Sequence, residues 1–194
     1  MPSPAAATGR RRYAELAARA ALAAVVAPAG WSVLADRWRA TEAVIVRGLL
    51  RALGFGEVER YGHELFAVSR TGQRFSAAIS PWCSTLALVL LFGAGLVVAH
   101  PLPIGRRLRG FGFASAIVIV GNFVRIVATI AVGVSRGPGA IETFHDGPAT
   151  WFAVGYVLAG GAAFAIVLTA QGGRGGTVQP PKSPQMEATT PGRL

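Results

Sequence analysis

Three stretches of this chain, residues 82–99, 111–134 and 149–170, are long, apolar and nearly free of charge. As helices, each fits roughly 30 Å of hydrocarbon. That length match, with hardly any polar side chain to satisfy, predicts an all-α integral membrane fold. A fourth stretch, about residues 14–35, is weaker, carrying Glu15 and Arg19 early and Pro28-Ala29-Gly30 late. Composition agrees: of 194 residues 52% are hydrophobic and 14% charged, against about 25% charged in soluble domains. This argues against an intracellular metabolic enzyme, and high hydrophobicity argues against disorder. The single cysteine excludes a disulfide framework and a Cys-rich zinc site.

Net charge is +10. No basic stripe interleaves with aromatics, so the basic residues are read as fixing topology and meeting lipid headgroups, not nucleic acid. The short loop around residues 100–110 carries Arg106, Arg107 and Arg109 without an acid, which places it on the cytoplasmic side, and Arg10-Arg11-Arg12 agrees. The expected organisation is a basic cytoplasmic N-terminus (1–13), one membrane domain with about four spans (14–170), and a disordered cytoplasmic tail (171–194) rich in Gly, Pro and Thr. Segments 36–81 and 135–148 then lie outside.

The first outside segment has internal order. Val44, Ile45, Leu49 and Leu53 fall at helical spacing, predicting an amphipathic interfacial helix over 41–53 that Gly54-Phe55-Gly56 ends. Residues 64–68 and 73–79 flank Arg70-Thr71-Gly72 and read as a β-hairpin. The second strand runs straight into Ser80-Pro81-Trp82-Cys83. Ser80 suits an N-cap and Pro81 a first helical position, which predicts Cys83 at the third position of the second membrane helix. A thiolate is favoured at such an end.

Arg125 lies about nine residues from the outer end of the third span, and an ionised residue at that depth is costly and marks function by default. Ser115, Asn122, Arg125 and Thr129 share one helical stripe. Of three histidines, His100 falls across the membrane from Cys83; His145 is the favoured partner and His63 the competitor. A thiol, a base and a fixed cation in one leaflet suit acyl transfer through a thioester. No HExxH or Cys/His cluster suggests a metal, and no cofactor is implied. Glycines 93, 95, 121, 155, 160 and 161 allow close helix packing.

At these residues the chain resembles the exosortase/archaeosortase family of membrane cysteine transpeptidases. The resemblance rests on Ser80-Pro81-Trp82-Cys83-Ser84-Thr85-Leu86, then Asn122-Phe123-Val124-Arg125, then Phe144-His145-Asp146-Gly147, over about residues 41–168. It departs from the Cys-Ser-Gly-Leu-Arg typical of bacterial members. The resemblance implies a protease that cuts C-terminal sorting signals from membrane-tethered secreted proteins at the outer face of the cytoplasmic membrane. It passes them to a surface acceptor, a lipid or glycan. It implies Cys83 as nucleophile, Arg125 as oxyanion or substrate stabiliser and His145 as proton shuttle. Ser84 would flank the nucleophile, Asn122 would orient the guanidinium, and Asp146 would support His145. The rival readings are a catalytically silent assembly subunit, and a small transporter component with Arg125 as an anion site.

Overall fold

The computed structural model describes residues 4–55, 57–99 and 102–170, with side chains from residue 13 onward. The tail from residue 171 and the basic side chains of Arg10, Arg11 and Arg12 lie outside the described residues. The order is α1 (Pro4–Ala52), β1 (Val58–Tyr61), β2 (Glu64–Val68), β3 (Arg74–Ala78), a 3-10 turn (Pro81–Cys83), α2 (Leu86–Val98), α3 (Ile104–Arg136), α4 (Gly139–Asp146) and α5 (Pro148–Thr169). An all-α membrane fold with a small sheet results.

Three segments are long and apolar enough to cross a membrane: Tyr13–Ala52, Ile104–Arg136 and Gly139–Thr169. This corrects the expectation of four. The stretch 82–99 yields only the 13-residue α2, about 20 Å long, because residues 81–85 are drawn out of the helix. In the last segment Gly147 (φ −103°, ψ −100°) separates α4 from α5. The 22 residues of α5 reach about 33 Å and suffice to span alone, leaving Glu142, His145 and Asp146 of α4 outside the span.

A second correction concerns α1. The first span and the interfacial helix are one continuous helix of 49 residues with Pro28 inside it. Charges at 36–39 do not end it, because Asp36 pairs with Arg39 along the helix and the Thr41 hydroxyl donates to the Arg37 carbonyl. The helix has a second apolar face, which packs inward. Ala43, Val46 and Leu50 are buried, whereas Val44, Ile45, Leu49 and Leu53 are exposed. Both faces are apolar, so periodicity alone does not choose between them; the sheet does. Gly54 ends the helix with φ +89°, a left-handed geometry that favours glycine.

The hairpin forms as expected and gains a strand. β1, β2 and β3 make an antiparallel meander in that order. Val58 faces Ala67, which faces Phe75; Leu65 faces Ala77. β1 escapes the sequence pattern because only Val58 of its four residues is buried. The inner face of the sheet joins Ala43, Val46 and Leu50 of α1 and Ile126 and Ile130 of α3 in one core. A second core lies deeper in the bundle, where Phe92, Ala114 and Val118 meet Tyr156 and Phe164. α3 contributes to both cores and touches every other helix.

Close packing uses some of the predicted glycines. A Cβ at Gly121 would sit 2.6 Å from the Tyr156 ring, and one at Gly160 would sit 2.9 Å from Val118. Gly155 and Gly161 face open space within the chain. Gly121→Ala should therefore lower the melting temperature in detergent, costing about 1–3 kcal/mol by overpacking. Gly155→Ala should hold or raise it, since alanine favours a helix by up to about 1 kcal/mol. Equal effects of the two substitutions would contradict this packing.

Candidate active site

Cys83 sits on the turn between β3 and α2, ahead of the helix rather than in its first turn. Ser80 is extended and makes no side-chain cap, and Ser84 is extended again (φ −87°, ψ 142°). The expected position at the third residue of a membrane helix is thus corrected, and with it the appeal to that helix end. The cause lies in α1. Glu42, 2% exposed, accepts from the Thr85 backbone N–H at 2.9 Å and from the Thr85 hydroxyl at 2.7 Å. The Trp38 indole N–H donates to the same hydroxyl at 3.1 Å. These bonds tether Thr85 to α1, so the helix starts only at Leu86. Ser84 is buried and its hydroxyl accepts from the Leu86 N–H at 3.3 Å, fastening that start.

Arg125 and Asn122 come from one face of α3. Asn122 does not orient the guanidinium, as expected from their spacing. It donates from Nδ2 to the Cys83 carbonyl at 2.8 Å and accepts from the Tyr156 hydroxyl at 3.1 Å. A chain from α5 through α3 therefore fixes the backbone of the cysteine. Arg125 is 8% exposed. Its Nη2 lies 3.0 Å from His145 Nε2. Thr129 donates to the Arg125 carbonyl, and Ser115 is buried further down the stripe.

His145 reaches in from α4. Its Nε2 stands 3.7 Å from Cys83 Sγ, and its Nδ1 stands 2.9 Å from the Asp146 carboxylate. Arginine only donates. In this arrangement Nε2 is therefore the acceptor and Nδ1 carries the proton towards Asp146. The Thr150 hydroxyl donates to the His145 carbonyl at 2.7 Å, tying α4 to the first turn of α5. The structure thus brings together Cys83, Arg125 and His145, with Asn122 and Asp146 against them. It leaves His63 aside, where its carbonyl accepts from Ile79 N–H in the sheet. His100 lies outside the described residues.

Electrostatics act on two groups outside the spans. Burial alone would raise the Cys83 thiol; the Ser80 hydroxyl, the His145 ring and the Arg125 charge outweigh it, so the thiol falls below its ordinary value. The bond to Asp146 raises His145, helped by Cys83, against burial and the Arg125 charge. Both directions favour passage of the thiol proton to the ring, once Arg125 has moved off Nε2. A cavity of about 420 Å³ opens onto this cluster, bounded by Cys83, Arg125, His145 and the run 76–80, which is the end of β3 and the two residues after it.

Glu42, Trp38 and Tyr156 are site-supporting residues that sequence reasoning missed. Nothing local marks them: Glu42 is one acid among several charges, and its partner lies 43 residues away.

A family model described as transmembrane exosortase matches residues 4–168. The chain belongs to that family, and it is a multi-pass membrane protein. The match reaches upstream of the expected 41–168 and includes α1. No curated protein matches the chain, and no solved structure does.

Cys83 should react with iodoacetamide at pH 7 faster than a free thiol. The rate should rise with pH and level off below the usual thiol range. His145→Ala and Arg125→Ala each remove a lowering influence, so the midpoint should move up and the pH 7 rate fall, about tenfold per pKa unit. A profile indifferent to both substitutions would show the groups to be uncoupled. Separately, Thr85→Val strands the Trp38 N–H and one Glu42 bond. It should cost about 1–3 kcal/mol, read as a lower melting temperature.

Proposed function

We propose that this chain is a cysteine protease and transpeptidase that cuts C-terminal sorting signals from membrane-tethered secreted proteins. The observation that carries the reading is the convergence of Cys83 Sγ and the Arg125 guanidinium on one nitrogen of His145, at 3.7 and 3.0 Å. In the first step the Cys83 thiolate attacks the scissile carbonyl carbon, and a C–S bond forms. Arg125, donating to Nε2 at rest, moves off that nitrogen as it takes the thiol proton and turns to the developing oxyanion, exchanging a neutral acceptor for a charged one. The proton taken from the thiol is held on His145 Nε2. As the tetrahedral intermediate collapses, the C–N bond breaks and that proton passes to the leaving amine. A thioester remains on Cys83. In the second step an acceptor hydroxyl or amine, on a surface lipid or glycan, attacks the thioester while Nε2 takes its proton. The acyl group leaves on the acceptor, and the thiolate is restored.

Asp146 holds the imidazole in the tautomer this cycle needs, and Asn122 holds the Cys83 backbone still. Topology supports an outward-facing site in the cytoplasmic membrane. Arg107 is bonded to the Leu96 carbonyl at the far end of α2. Between it and Asn122, α3 rises about 22 Å. Arg106, Arg107 and Arg109, which the structure places in the first turns of α3 rather than in a loop, therefore lie across the bundle from Cys83, on the side that basic residues prefer. A substrate anchored by its own tail helix reaches the site laterally.

The test is C-terminal mapping of surface proteins in the native host. Proteins ending in an apolar helix and a basic tail should lose that end in the wild type and keep it with Cys83→Ala. His145→Ala should slow processing by about 10²–10⁴-fold, and Arg125→Lys, which loses the planar fork, by a lesser factor. Unchanged processing with Cys83→Ala would overturn the reading in favour of a silent assembly role. Sensitivity to charge at 125 alone would favour an anion site.

A further inference from the structure

We propose that the segment to be cut binds in extended form as a fourth strand on the free edge of β3, which leads it to Cys83. This rests on the protease reading above and names how that site takes its substrate.

The sheet order is β1-β2-β3, so one side of β3 faces no strand. Register shows which groups it offers. Ile79 N–H donates to the His63 carbonyl, and Ser69 N–H to the Gln73 carbonyl. Antiparallel pairs alternate between bonded and unbonded. Residues 73, 75, 77 and 79 therefore turn their backbone groups towards β2. Arg74, Ser76 and Ala78 turn theirs outward, and among the described residues no backbone group pairs with them. Exposed edges of this kind invite strand addition, and proteins usually blunt them. Here the edge is not blunted by proline, and beyond Arg74 its outer residues are small: Ser76 and Ala78.

The free edge also lies where a substrate must go. Residues 76–80 form a wall of the cavity that holds Cys83, Arg125 and His145. The same run of chain continues into the turn bearing the nucleophile. A peptide paired with β3 is thus collinear with the path to Sγ. Ile126, Ile130 and Ile141 add apolar lining to the same cavity, which suits alternate side chains of a strand. There is a physical need as well. A tail that enters as a membrane helix has its amides bonded within the helix, closed to attack. Unwinding it near hydrocarbon costs several kcal/mol per unpaired group. The outward groups of Arg74, Ser76 and Ala78 replace those bonds, as in other strand-addition sites.

The test uses the purified full chain in detergent and the probe acetyl-tetra-alanine chloromethyl ketone. Its reaction with Cys83 forms an S–CH₂ bond and expels chloride. Chloroacetone, with the same reactive group and no peptide, is the reference on each variant. The peptide should alkylate Cys83 at least tenfold faster than chloroacetone. N-methylation at single alanines should slow it about tenfold at alternate positions and little at those between, each lost bond being worth about 1.4 kcal/mol. Ser76→Pro removes one outward N–H and should lower the peptide-to-chloroacetone ratio similarly. Because the N-methyl series leaves the protein untouched, it stands even if that variant folds poorly. A peptide no faster than chloroacetone, or N-methyl effects without alternation, overturns strand addition while leaving the catalytic reading intact. A Cys83 that reacts with chloroacetone no faster than a free thiol overturns the catalytic reading, and this proposal with it.

Discussion

A guanidinium inside an apolar bundle must be answered by other groups, and the site is organised around that demand. Arg125 is buried on α3 with its Nε unpartnered and its Nη2 on His145. No carboxylate pairs with it among the described residues. A buried cation left this way is costly unless its charge is needed. At rest it meets the neutral imidazole nitrogen, with the Cys83 sulfur beside it. The arrangement keeps the positive charge available for an anion that arrives only during reaction. Electrostatic preorganisation of this kind is stored in the fold and needs no movement of the backbone when used.

The helix that carries Arg125 does more than hold it. α3 runs 33 residues, about 50 Å, well beyond one hydrocarbon thickness. Its first half packs on α2 and α5 through Ala114, Val118 and Gly121, and its second half packs under the sheet through Ile126 and Ile130. Arg125 sits where the two cores meet. Below it, everything is helix on helix; above it, helix on sheet. The cavity occupies that junction, because a sheet edge and a helix bundle do not pack flush. The candidate site sits at the seam between two ways of burying apolar surface.

What could be read from the sequence was what depends on short-range pattern. The stripe Asn122, Arg125, Thr129 follows helical period. The β2–β3 turn follows from Gly72, whose φ is +83°. The meeting of Cys83, Arg125 and His145 is expected from their order and from the topology read from charge, and the structure brings the three together. What escaped depends on partners far along the chain. Glu42 and Trp38 matter only because Thr85 comes to meet them. The face of α1 that packs inward is chosen by Val58, Leu65 and Ala67, far along the chain. Asn122 was assigned to the residue one turn away, but its amide reaches across to the Cys83 carbonyl and its oxygen to α5. The membrane length of α2 failed for the same reason: a run of apolar residues does not show that a buried carboxylate holds back its start.

The solitary thiol sets a limit on how this site ages. With one cysteine in the chain, Cys83 has no intramolecular thiol with which to form a disulfide. A thiol held below its ordinary pKa and facing a cavity is also the one that peroxide attacks first. Its sulfenic acid would have no resolving partner in the molecule, and repair would depend on a small thiol entering by the substrate's own route. Without one, further oxidation to the sulfinic acid is irreversible. Redox chemistry, rather than unfolding, would then set the working life of each copy.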